Sequence, residues 1–127
     1  SNSHPDRVEL YNSLINNLNI VFTKGRLGFE QITAEYNKYN FALSPKGKGL
    51  DCHRTWELFL AGVIVITKSC ELDDMYKNKD LPIVIINDWN ELNNGLDKKL
   101  DFWYEKFSNL TSFENIYPKM LFNYWLI

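Results

Sequence analysis

Apolar residues fall along this chain in two kinds of pattern, spaced stripes and short unbroken runs, and the two predict different elements. Between residues 5 and 18, Val8, Leu10, Tyr11, Leu14, Ile15 and Leu18 recur at steps of three and four, which predicts an amphipathic helix with Pro5 in its first turn. Residues 19–24 are a β-branched and aromatic run closed by Lys24-Gly25 and predict a strand ending in a turn. Phe29, Ile32, Tyr36 and Tyr39 again share one helical stripe, so a second helix is expected over residues 29–39. Phe41-Ala42-Leu43 reads as a short buried strand that leads straight into a glycine-containing loop, Ser44-Pro45-Lys46-Gly47-Lys48-Gly49.

Beyond that loop, Asp51 is placed to cap a helix over residues 52–61, and Gly62 to end it. Two unbroken runs follow, Val63-Ile64-Val65-Ile66 and Ile83-Val84-Ile85-Ile86. Neither alternates with polar residues, which predicts strands covered on both faces, as in a parallel sheet with helices on either side. Residues 97–107 and 112–126 carry helical spacing, with Thr111-Ser112-Phe113-Glu114 matching a capping box and Pro118 expected to kink the last helix. The order helix, strand, helix, strand, helix, strand, strand predicts an α/β fold: a Rossmann-like open, mostly parallel sheet with helices on both faces. Because the chain opens with a helix, a strand preceding it is expected to lie outside the sequence.

Composition narrows the function classes. The chain has 127 residues, 45% of them hydrophobic, which suits one domain spanning residues 1–127 and excludes a disordered tail. Lysine and arginine number 14 against 16 aspartates and glutamates, so there is no positive excess to bind nucleic acid, and any phosphate must be met locally. No apolar run is long enough to span a bilayer and no signal peptide is visible, so a soluble domain is expected, cytoplasmic or, in a eukaryote, in the Golgi lumen. Cys52 and Cys70 are too few for a disulfide scaffold or structural zinc; whether they pair is left open. The aromatic residues Phe102, Trp103, Tyr104, Phe122, Tyr124 and Trp125 are expected to be core, with packing against another domain as the alternative.

In open α/β sheets ligands sit outside the carboxyl ends of the strands, and the loop at residues 44–49 leaves such an end and enters a helix. Gly47 and Gly49 allow backbone N–H groups to approach an anion, and the helix start adds about half a unit of positive charge. Lys46, Lys48, His53 and Arg54 crowd the same place, so a phosphate or diphosphate finds both hydrogen bonds and charge. The loop is neither a Walker A sequence nor the dinucleotide fingerprint, and a solvated lysine-rich turn is the competing reading. His53, Arg54 and Glu57 share one helical stripe, with Trp56, Phe59, Leu60 and Val63 on the apolar side. Arg54 and Glu57 form either part of a ligand site on an enclosed helix or a plain ion pair three residues apart. No nucleophile with an orienting partner is visible, and Asp73-Asp74 reads as a capped surface turn rather than a metal motif.

The segment from Phe41 to Thr67, FALSPKGKGLDCHRTWELFLAGVIVIT, resembles the C-terminal nucleotide-sugar-binding half of exostosin-like glycosyltransferases, enzymes of the GT-B type. Their pattern runs roughly S-P-x-G-x-G-x-D-x-H-R-x-W-E. The likeness continues through Lys68-Ser69, Leu72-Asp73, Met75-Tyr76, Leu81-Pro82 and Asp88-Trp89, and the opening Ser3-His4-Pro5-Asp6-Arg7 also fits. Lys48 departs from the family's usual asparagine and Val65 from its usual proline. The resemblance implies a donor-binding domain in which Ser44, Lys46, Gly47, Lys48, Gly49, Asp51, His53 and Arg54 bind a nucleotide sugar, the glycine loop and the adjacent basic residues taking its diphosphate. In the same picture Glu57 holds the ribose hydroxyls. It further implies a metal-independent transferase with no cofactor beyond the donor substrate, and an N-terminal half, absent here, that brings the carbohydrate or glycoprotein acceptor and the general base. The isolated chain is then expected to bind donor without efficient transfer. The rival expectation is a non-catalytic nucleotide- or glycan-binding module.

Overall fold

The computed structural model of the protein describes residues 5–18, 20–22, 30–33, 39–45, 52–70, 73–76 and 79–124. Its centre is a set of three short strands, β3 (Tyr39–Leu43), β4 (Ile64–Lys68) and β5 (Ile83–Ile86), paired in parallel with Leu43 beside Ile66 and Ile66 beside Val84. On the far side of β3, the strands β1 (Ile20–Phe22) and β2 (Glu30–Thr33) add an antiparallel extension, giving the order β1-β2-β3-β4-β5. The sheet is therefore open and mixed, with two antiparallel and two parallel pairings, rather than mostly parallel.

That difference comes from one segment. The helix expected over residues 29–39 is replaced by β2 and by the start of β3. Four apolar residues in eleven satisfied a helical period, but a four-residue strand is too short to display alternation of its own. Pairing decides instead: β2 is hydrogen-bonded along both edges, Ile32 lying opposite Ile20 on one side and Phe41 on the other, with the register shifting between Ile32 and Thr33.

The unbroken apolar runs are explained by which face each residue joins. Phe41, Leu43, Ile64, Ile66, Val84 and Ile86 point to one face, where they pack with Leu10 and Leu14 of α1 (Pro5–Leu14), with Trp89 and Leu92 of a 3₁₀ turn, and with Leu96 and Leu100 of α4 (Leu96–Phe107). Ala42, Val65 and Ile83 point to the other, against Trp56, Leu58 and Phe59 of α2 (Cys52–Leu60), Tyr76 of α3 (Asp73–Tyr76), and Ile116 and Met120 of α5 (Phe113–Tyr124). The runs 41–43, 64–66 and 83–86 are thus apolar at every position because both faces are covered there, as the sequence predicts. Helices α2 and α3, which connect β3 to β4 and β4 to β5, lie on the same face, as two crossovers of one hand in one direction require.

Local chemistry ends the elements where expected. Gly62 takes the left-handed conformation (φ 85°) just past α2, where a side chain would be strained, and its N–H reaches the Phe59 carbonyl. The cap of α5 is shifted by one residue: the Ser112 hydroxyl accepts from the Asn115 N–H, while the Thr111 hydroxyl donates to the Ser108 carbonyl. Pro118 lies inside α5. Two expectations about faces are corrected. Helix α1 ends at Leu14 rather than at residue 18, and of the apolar stripe only Leu10 and Leu14 are buried, whereas Val8 and Tyr11 within it and Ile15 and Leu18 beyond it are exposed. In α4 the residues that meet the core are Leu96, Leu100, Trp103 and Phe107, so Phe102 and Tyr104, on the flanks of that stripe, are exposed rather than core. The side chains of Phe122 and Tyr124, and Trp125 altogether, lie outside the described residues. Among the described residues no helix is long and apolar enough to cross a membrane.

The packing sets a stability contrast. Ile66, fully buried at the middle of the parallel sheet, should cost about 2–5 kcal/mol when truncated to alanine. Phe102→Ala, on the exposed flank of α4, should stay within about 0.5 kcal/mol. Urea unfolding of the two variants measures the difference, and equal losses would contradict this arrangement of the core.

Candidate functional site

The carboxyl ends of the three parallel strands form one edge, and β3 leaves it at Ser44. Because β3 and β4 run side by side, the ladder continues one residue past the strand: the Ser44 N–H donates to the Ile66 carbonyl at 2.9 Å. The Thr67 hydroxyl, next along β4, donates to the Ser44 carbonyl at 3.0 Å. The side chain of Ser44 turns to the α2 face, where its Oγ lies 3.1 Å from Thr55 Oγ1. Ser44 and Thr55 are both buried, as is Pro45, so the end of β3 is a fixed point.

Of the residues singled out in the sequence, Ser44 therefore stands where expected, at the carboxyl end of β3. Lys46, Gly47, Lys48, Gly49 and Asp51 lie outside the described residues. His53 and Arg54 belong to the first turn of α2, so their backbone is at the helix start, while their side chains lie outside the described residues. Glu57 is exposed. Its neighbours Thr55, Trp56, Leu58 and Phe59 are the buried ones, so α2 presents one side to the sheet and holds this carboxylate on the other. The enclosed setting expected for the charges of α2 is thus not the one Glu57 has; it is open to solvent or to a ligand. Thr55 and Thr67 were missed in the sequence because a threonine carries no distinguishing signal until its partner is known.

On the opposite face of the same edge is a second polar group. Lys68, the last residue of β4, donates to Glu9 Oε1 at 2.5 Å and lies 3.8 Å from Asp6 Oδ1. Asp6 is buried and accepts the Trp89 indole N–H at 2.7 Å. Trp89 opens the 3₁₀ turn, which is fixed by a capping box: the Asp88 carboxylate accepts from the Asn90 N–H, and Glu91 accepts from the Asn87 and Asp88 N–H groups. The hydrogen bond to Glu9, helped by the charges of Asp6 and Asp88 and opposed by partial burial, holds the Lys68 ammonium above the usual lysine range. These contacts dock the first turns of α1 over the end of the sheet.

At the turn after β4, Asp73 accepts from the Ser69 hydroxyl at 2.6 Å and from the Cys70 N–H at 2.9 Å, which closes the start of α3. Its carboxylate is used in that turn, in keeping with a capping role for Asp73-Asp74. Among the described residues no group of three or more histidine, cysteine or acidic side chains is placed to hold a metal ion. The edge can thus offer backbone donors and a helix start on its α2 side, and a carboxylate-paired lysine on its α1 side. In comparison with known proteins, no family model, curated protein or solved structure matches the chain.

The raised Lys68 proton affinity has a definite sign in the stability profile. A lysine that binds its proton more tightly when folded contributes stability fully below its unfolded value of 10.5, and that contribution is lost as pH rises through the higher folded value. With Glu9 largely exposed, the contribution is under about 1 kcal/mol. Wild type should therefore lose more stability than Lys68→Met between pH 9.5 and pH 11.5, values set on the order of one unit either side of the lysine range. Parallel profiles in urea unfolding would show that the pair contributes nothing.

Proposed function

We propose that the chain is the donor-binding half of a glycosyltransferase of the exostosin-like GT-B type, with a Rossmann-like sheet that receives a nucleotide diphosphate sugar. The observation that supports this most is the place of Ser44: a strand of the parallel sheet ends there, and in the sequence a glycine- and lysine-containing stretch separates it from the N-terminus of α2. This is the arrangement in which backbone N–H groups and a helix start converge on an anion. The run from Ser44 to Glu57, which resembles the family's S-P-x-G-x-G-x-D-x-H-R-x-W-E pattern, coincides with that junction.

In this reading Lys46, Gly47, Lys48 and Gly49 surround the diphosphate, with Asp51 and His53 at the helix start and the Arg54 fork on phosphate oxygens. When the glycosidic bond to the β-phosphate breaks, the leaving diphosphate gains negative charge. Fixed N–H donors and cationic side chains stabilise that charge, and the chemistry needs no metal or further cofactor. Glu57, exposed one turn inside α2, is available to accept from the two ribose hydroxyls. The carbohydrate or glycoprotein acceptor and the base that deprotonates it belong to an N-terminal half of the same enzyme, so donor binding rather than turnover is the property assigned to these residues.

Calorimetry with uridine and guanosine diphosphates tests the reading. Arg54→Ala should weaken binding by about 1.5–3 kcal/mol, the usual size for a hydrogen bond to a charged group. Unchanged affinity in a folded Arg54→Ala protein would remove Arg54 from the site. Glu57→Gln replaces one acceptor oxygen by a donor, and should weaken a ribonucleotide more than its 2′-deoxy analogue. An equal loss for both would mean that Glu57 acts only through Arg54.

A further inference from the structure

We infer that Asn94-Gly95 is a self-modifying link, at which the asparagine closes on the glycine amide to a succinimide and reopens in part as isoaspartate, loosening the seat of α4. Of the fifteen asparagines in the chain, Asn94 is the one followed by glycine. Both residues are exposed, and they are all that separates the 3₁₀ turn at Trp89–Asn93 from α4. The neighbouring amides are occupied: Asn93 donates to the Ser13 carbonyl and to Asn90, and Asn17 donates to the Leu92 carbonyl and to Asn93. Among the described residues the Asn94 side chain makes no such bond, so its carboxamide is open to attack.

The chemistry needs only water. Hydroxide removes the Gly95 N–H proton, and the nitrogen adds to Cγ of Asn94; the bond from Cγ to Nδ2 breaks, ammonia leaves and an imide ring closes. Water then opens the ring at either carbonyl. Breaking the bond between nitrogen and Cγ restores the main chain with aspartate in place of Asn94. Breaking the bond between nitrogen and the main-chain carbonyl leaves the backbone running through the side chain, one carbon longer, with a free carboxylate on Cα. Overall one water enters and one ammonia leaves, and nothing is oxidised or reduced.

The fold permits the motion that ring closure requires. Asn94 is extended (φ −121°, ψ 117°), which turns the Gly95 nitrogen away from Cγ, so the peptide between the two residues has to turn over first. Among the described residues neither the Asn94 carbonyl nor the Gly95 N–H is hydrogen-bonded, and Gly95, at φ 60°, has open space where a Cβ would stand. The bonds on either side, from the Asn94 N–H to the Glu91 carbonyl and from the Lys99 N–H to the Gly95 carbonyl, belong to the adjoining peptides and are kept. The two products then act differently on the structure. Aspartate changes only charge, at an exposed position beside the start of α4 where a carboxylate suits the helix dipole. Isoaspartate lengthens the backbone between Leu92 and Leu96, which are 0% and 6% exposed and lie in the same apolar cluster. Lys99 also reaches back across the link to the Glu91 carbonyl at 2.7 Å. Close packing leaves no slack for an added carbon, so one of these anchors is displaced.

The test is to age the purified full chain in warm, mildly alkaline buffer and to follow each asparagine by peptide mass spectrometry, with electron-transfer fragmentation to tell isoaspartate from aspartate. Asn94 should convert about tenfold faster than any other asparagine, because a side chain on the following residue hinders both the turn of the peptide and the attack. The chromatographically separated fraction that carries isoaspartate should unfold at lower urea than fresh protein, whereas Asn94→Asp should unfold at the same urea as fresh protein. Asn94→Gln, which keeps an amide but needs a larger ring, should age without any fall in its urea midpoint. Conversion at Asn94 no faster than at Asn93, or an isoaspartate fraction with the urea midpoint of fresh protein, overturns the inference.

Discussion

Everything in this fold depends on β4 being enclosed. It is paired in parallel with β3 on one edge and β5 on the other, and its residues alternate between two apolar layers, Ile64 and Ile66 in one and Val65 in the other. A strand so placed has no face left for water. Helices must therefore cover both sides, and the parallel direction obliges the chain to cross over the sheet between strands. The crossover helices α2 and α3 share one face with α5, while α1 and α4 cover the other. The ends of the strands are then where the chain must emerge, and the carboxyl edge is where polar groups gather.

That edge is divided. On the α2 side, hydroxyls meet: Ser44 is bonded to Thr55 and accepts from Thr67, and in the sequence Lys46, Gly47, Lys48 and Gly49 follow. On the α1 side, the buried carboxylate of Asp6 joins the Trp89 indole to the neighbourhood of Lys68, whose ammonium is taken up by Glu9. The first arrangement leaves backbone donors and a helix start at the edge. The second has its lysine engaged by carboxylates and serves to hold α1 in place. The anionic ligand we propose would sit on the α2 side, at the junction whose sequence resembles the donor site of exostosin-like transferases.

The parts of this picture that were legible in the sequence are those in which a local pattern and the fold demand the same thing. Ile64 to Ile66 and Ile83 to Ile86 had to be strands covered twice, and Gly62 had to end α2, because few alternatives satisfy an unbroken apolar run or a left-handed residue. The stretch at residues 29–39 was misleading because its identity as β2 is settled by neighbours on both edges, which no local spacing reports. The same holds for the faces of α1 and α4. Tyr11 is apolar and correctly spaced and Phe102 is aromatic, but a helix buries only the stripe that reaches the sheet. The end of β3 at Ser44 and the start of α2 were legible from the apolar run 41–43 and from Asp51 as a cap. The Thr55 and Thr67 contacts were not, because they join residues eleven and twenty-three positions away from Ser44.

The central claim is that a nucleoside diphosphate binds where β3 gives way to α2. The most direct measurement is amide chemical-shift mapping by nuclear magnetic resonance during titration of the chain with uridine diphosphate. The account predicts saturable shifts concentrated on the amides of residues 44–57, with smaller ones at Thr67 and Lys68. Shifts centred instead on the amino ends of the strands or on the outer face of α5, or no saturable shifts with either uridine or guanosine diphosphate, would contradict it.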